Sequence, residues 1–108
     1  MTIKVLGQSA PAATTETTLY TVPASTATVV SSLVVANRGA AVASFRVSVS
    51  VGGGATATKD YLYYDVLLPP ADTFVFTGGI TLATTDVMRV YASSANLSFN
   101  LFGEEVAV

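Results

Sequence analysis

Between Phe45 and Val51 the chain alternates without a break, with Phe45, Val47, Val49 and Val51 on one side and Ser44, Arg46, Ser48 and Ser50 on the other. A period of two sends successive side chains to opposite faces of a sheet, so this segment predicts a strand with one dry and one polar face. The preceding run from Val29 to Ala36 is apolar at most positions of both parities, the pattern of a strand covered on both faces. Between the two runs lies Asn37-Arg38-Gly39. Asn and Gly tolerate positive φ, so this link is expected to close a hairpin with a bulge.

The rest of the chain reads as further strands. Thr2 to Gln8 is short, with Ile3, Val5 and Gly7 sharing a face. Residues Gln8 to Glu16 include Pro11 and lack bulky apolar side chains, so an extended arm or a loop is expected. Thr17 to Val22 is a strand stopped by Pro23. In Tyr61 to Leu68, alternation puts Leu62, Tyr64, Val66 and Leu68 on one face and Tyr61, Tyr63 and Asp65 on the other. Phe74 and Phe76 pair on one face of the next strand, Met88, Val90 and Ala92 on a later one, and Leu97, Phe99 and Leu101 on the last, leaving GEEVAV as a tail. No window has helical periodicity. Seven to nine short strands separated by Gly and Pro turns predict an all-β, antiparallel β-sandwich of jelly-roll or immunoglobulin-like type in a single domain, residues 1–108. The expected core includes Phe45, Val47, Val49, Phe74, Phe76, Val90, Phe99 and Leu101.

Charge narrows the function. Asp, Glu, Lys and Arg make up 11% of residues and hydrophobic residues 51%, against about 25% charged in an ordinary soluble domain. Five cations and seven anions must serve the whole exterior. A near-neutral surface promotes association, so much of the exterior is expected to meet neighbours in an assembly. The basic residues are unclustered, which argues against nucleic acid as a partner. No run approaches the ~20 apolar residues of a membrane span, and the N-terminus lacks the pattern of a signal peptide.

The residue types that carry chemistry are sparse. There is no Cys and no His, which removes thiolate metal sites, the usual general base and the usual pH switch. Gly52-Gly53-Gly54 precedes Lys59, but the phosphate-loop pattern needs Gly directly before the Lys and Ser or Thr after it; here Thr58 and Asp60 flank it. Asp60, Asp65, Asp72 and Asp86 stand singly, and Asp72 and Asp86 suit turn starts. Asn96-Leu97-Ser98 matches the glycosylation pattern only formally. No catalytic residue, metal ligand or cofactor site is assigned. Tyrosine joins a large apolar body to a hydroxyl that needs a partner and suits interfaces; Tyr61, Tyr63 and Tyr91 are candidates for a protein contact or a sugar-stacking platform, and Pro11 for an arm contact.

The segments LYTVPASTATVVSSLVVANRG, YLYYDVLLPPADTFVFTGGITLATTDVMRVYAS and ANLSFNLFGEE together resemble small all-β virion proteins of tailed bacteriophages, a likeness that covers about Leu6 to Glu105. The resemblance implies a non-enzymatic structural protein, either a capsid decoration (cement) protein, commonly trimeric and bound to the major capsid protein, or a tail or baseplate accessory protein. A carbohydrate-binding β-sandwich is the alternative from another class. No functional residue transfers with the likeness.

Overall fold

The computed structural model describes all residues, Met1–Val108. Nine strands follow in order: β1 (Thr2–Ser9), β2 (Thr17–Thr21), β3 (Thr26–Asn37), β4 (Ala43–Ser50), β5 (Tyr61–Leu68), β6 (Thr73–Phe76), β7 (Ile80–Leu82), β8 (Val87–Ala92) and β9 (Leu97–Ala107). Only two single-turn 3-10 segments, Val51–Gly53 and Thr58–Asp60, interrupt them. One sheet runs β1-β9-β3-β6, with β7 also paired to β3; the other runs β2-β8-β4-β5. All pairings are antiparallel. β6 and β7 pair with different stretches of β3 and count together as one interrupted strand. The order is then that of a jelly roll, in which successive strands cross between sheets everywhere except the β4–β5 connection. The all-β sandwich expected from the alternation is the fold observed.

The core lies between the sheets. Phe45, Val47, Val90, Phe99 and Leu101 are all buried, together with Leu33, Val35, Met88 and Leu97. Phe45 meets Phe99 edge-on across the sandwich, ring centroids 6.2 Å apart, and Phe74 at 5.3 Å. Val49, Phe74 and Phe76 pack against this core but are half-buried, because they border the side of the sandwich where the β5 and β6–β7 edges part. Val51 is exposed, since the strand ends at Ser50.

The expected hairpin at Asn37-Arg38-Gly39 does not form. β3 and β4 lie in opposite sheets, so the link arches over the end of the core. Each strand has one dry face, and those faces meet each other across the sandwich. The Asn37 side chain holds the arch: its Nδ2 donates to the carbonyls of Ala41, Leu68 and Pro69 at 2.9, 3.0 and 3.2 Å, and its Oδ1 accepts from the Gly39 amide. Nor is β3 covered on both faces. Thr28, Val30, Leu33 and Val35 are buried, while Val29 and Ser31 are exposed. A bulge between Val30 and Ser32 shifts the inward parity by one residue.

Two more segments differ from the sequence reading. GEEVAV is not a tail, because β9 continues through it and pairs with both β1 and β3. Gly103 makes this possible: a Cβ there would lie 2.2 Å from the Val29 carbonyl oxygen. Gln8 and Ser9 belong to β1 rather than to an arm. The residues after them form a loop closed on its own domain, with Pro11 buried and the Thr14 amide bonded to the Ala92 carbonyl at 2.8 Å.

Candidate functional site

The outer face of the β2-β8-β4-β5 sheet carries a row of Tyr91 from β8, Arg46 from β4, and Tyr64 and Tyr61 from β5. Tyr91 and Arg46 are register partners. The Arg46 guanidinium sits 4.2 Å from the Tyr64 ring centroid and 4.4 Å from that of Tyr91, a cation held between two aromatic faces. It also donates to both carboxylate oxygens of Asp65, at 2.6 and 3.2 Å. This fork lowers the pKa of Asp65 and raises that of Arg46. Tyr61 meets Tyr64 edge-on at 4.9 Å, and the two rings line a shallow groove with Thr56, Ala57 and Thr58.

The tyrosines part because β5 is irregular. Val47 faces Tyr63, but Ser48 faces Tyr61 and Phe45 faces Val66, with register shifts on both sides of Tyr63. Asp65 adopts φ +51° at the second shift. Each extra residue reverses parity. Tyr63 therefore turns inward, 5.1 Å from Phe74 and 6.0 Å from Phe76, and leaves the expected platform with Tyr61 and Tyr91. Tyr64 and Arg46, not singled out from the sequence, take its place on the surface. Pro11 is buried in its own domain and offers no free contact surface.

Beside this row, the loop after β4 folds back over the sheet. Gly52 and Gly53 adopt φ +71° and +79°, conformations that favour glycine. Arg89 ties the loop down, donating to Ser50 Oγ at 2.7 Å and to the Gly54 carbonyl at 2.8 Å. Ser48 and Ser50 are thus buried although they lie on the outward parity. The carboxylates nearby are structural. Asp86 accepts from the amides of Gly52 and Ala83, both at 2.9 Å. Asp60 is held below its usual pKa first by Lys59 and then by the Ala57 amide. Asp72 accepts from the Thr73 amide. No group of three or more Asp or Glu side chains is close enough to hold a metal ion.

The outer face of the β1-β9-β3-β6 sheet has a different chemistry. Register places Ile3, Glu104, Val29 and Thr81 in one cross-strand row, Val5, Phe102 and Ser32 in the next, and Gln8, Asn100, Val34 and Val75 in a third. Ile3 is 83% exposed, Val75 54% and Val29 42%. Glu104 is the sole charge within these rows; Arg38 reaches the far end of the face, where it bonds Ser98 Oγ at 2.7 Å. Between the β5 and β7 edges an open cleft of about 520 Å³ is lined by Val49, Leu62, Tyr63, Phe76 and Ile80. No helix is long and apolar enough to cross a membrane. Against family models, curated proteins and solved structures, the chain has no match.

Proposed function

We propose that this chain is a non-enzymatic structural subunit of a bacteriophage particle, a decoration protein that acts as a homo-oligomer and docks on the major capsid protein. The observation that carries this reading is the outer face of the β1-β9-β3-β6 sheet, where Ile3, Val5, Val29 and Val75 are exposed with one interspersed charge, Glu104. Exposed apolar side chains set among uncharged polar ones, with almost no charge to keep the face in water, suit a contact surface. The jelly roll serves in viral capsid and lectin domains, a likeness of fold that does not by itself assign a role.

The contact is apolar and main-chain in character, so attachment is insensitive to ionic strength, unlike a charge-steered one. Co-sedimentation with purified shells of the source phage tests this. Wild type is expected to pellet equally at low and high salt, and the double variant Val29→Lys, Val75→Lys to remain in the supernatant. Both side chains are already solvent-exposed, so the fold survives the change. Equal pelleting of wild type and variant, or release of wild type by salt, overturns the reading.

The Tyr91–Arg46–Tyr64–Tyr61 row favours a second reading, a sugar-binding face. Tyr64 is 57% exposed beside the groove formed with Thr56 and Thr58. Saturable binding on a glycan array that Tyr64→Ala abolishes supports it; no saturable binding removes it.

A further inference from the structure

Three of the four sheet edges are blunted. β5 carries two register shifts and the left-handed Asp65. β2 carries a shift at Leu19, and the β6–β7 edge is interrupted between Phe76 and Ile80. Irregularity is a usual protection against strand addition. β1 differs. From Thr2 to Val5 it pairs regularly with β9, its bulge coming only between Val5 and Gly7, and nothing pairs with its other side. Beyond the bulge, Gly7 abuts the Leu19 carbonyl of β2, so the open run ends there.

This run is complementary to itself. A two-fold axis perpendicular to the sheet preserves faces only when the paired residue numbers sum to an even value, so it passes through Ile3 or Lys4. Centring on Lys4 sets two ammonium groups opposite each other, which is unfavourable. Centring on Ile3 places Ile3 against Ile3, Val5 against Met1 and Lys4 against Thr2. Met1, Ile3 and Val5 are 86%, 83% and 48% exposed, so this register closes an apolar stripe on the outer face. On the other face each Lys4 keeps its ion pair with its own Glu105, 3.3 Å away, and faces a neutral Thr2. The ion pair holds the one charged side chain of this run away from the seam.

We infer that a second copy of this chain pairs with it through β1, antiparallel and centred on Ile3, to join the two β1-edged sheets into one continuous sheet. The inference does not depend on the phage reading. The seam is two-fold, unlike the three-fold contact that the resemblance implies. It is smaller than the roughly 1,600 Å² of a standard interface, so association depends on concentration.

The absence of cysteine gives a clean test. Sedimentation of the full chain is expected to show a species of twice the mass of one chain, growing with concentration. Ile3→Lys, at an exposed position, is expected to weaken it on the order of tenfold or more through like charges set directly opposite. Ile3→Cys is expected to form a covalent dimer under a mild oxidant, while Val75→Cys, on the opposite edge of the same sheet, does not. A single-chain mass at every concentration, a three-chain species, an unaffected Ile3→Lys variant, or equal cross-linking of the two cysteine variants overturns the inference.

Discussion

Tyr20, on β2 of one sheet, donates its phenolic hydrogen to Oε2 of Glu105, on β9 of the other, at 2.5 Å. Thr28 on β3 joins them through its hydroxyl, 2.7 Å from the Tyr20 oxygen, and Lys4 on β1 pairs with the second Glu105 oxygen. Polar bonds thus tie the two sheets at this end, as Asn37 and the Leu68 carbonyl do elsewhere. A phenol in such a place needs its partner, since a buried hydroxyl without one is costly.

The tie makes stability depend on pH at both extremes. The Tyr20 hydrogen bond, then Lys4, holds the Glu105 pKa below its ordinary 4.5 despite burial. A depressed carboxylate stabilises the fold above the unfolded value and loses that contribution as pH falls through the folded one. Burial, then the Glu105 bond, pushes Tyr20 up to about 12 from 10.0; its contribution is complete below pH 10 and lost as pH rises through 12. Chemical denaturation across pH should show both declines, and Glu105→Gln should flatten the acid one. Tyr20→Phe should cost about 1.5–3 kcal/mol near neutrality, the scale of a hydrogen bond to a charged group.

Asn37 is the second point of vulnerability. Buried at 3% exposure, it serves three carbonyls and one amide of the β3–β4 arch. Asn37→Ala leaves these groups short of partners, each at a cost of about 1–3 kcal/mol if buried. A loss of at least ~2 kcal/mol in urea unfolding is expected, and an unchanged midpoint would remove Asn37 from its structural role.

Gly103 is irreplaceable by even the smallest side chain. The added Cβ of Gly103→Ala would press on the Val29 carbonyl and on Val30 Cα, 2.9 Å away. Backbone cannot yield as a flexible side chain does, so β9 must separate from β3, and a loss of ~3 kcal/mol or more is expected. Gly79→Ala is the contrast: no atom lies within 4 Å of its added Cβ, and only its φ of +82° opposes the change, a cost of ~1 kcal/mol. Thermal melts of the two variants should differ accordingly.

Where strands are regular, sequence alone located the faces. Met88, Val90 and Ala92 point inward, as do Leu97, Phe99 and Leu101, with Arg89 and Tyr91 outward on β8 and Ser98 and Asn100 outward on β9. Bulges defeated the same rule in β5, because one added residue reverses parity and tyrosine suits either face. No local signal separates the inward Tyr63 from the outward Tyr64. Alternation does not distinguish the β3–β4 arch from a hairpin, because two strands that stack across a core have the same one-sided pattern as two that pair. The Arg46–Asp65 fork depends on the register of β4 against β5, which alternation does not supply. Asp86 was legible as a turn aspartate, but its bond to the distant Gly52 was not.

The proposed place of this chain in a phage particle can be read from the composition of the particle itself. Mass spectrometry of density-purified particles of a phage that encodes this chain should find it at many copies per particle, retained through a high-salt wash. Its absence from purified particles, or its loss in that wash, would rule out the proposed role.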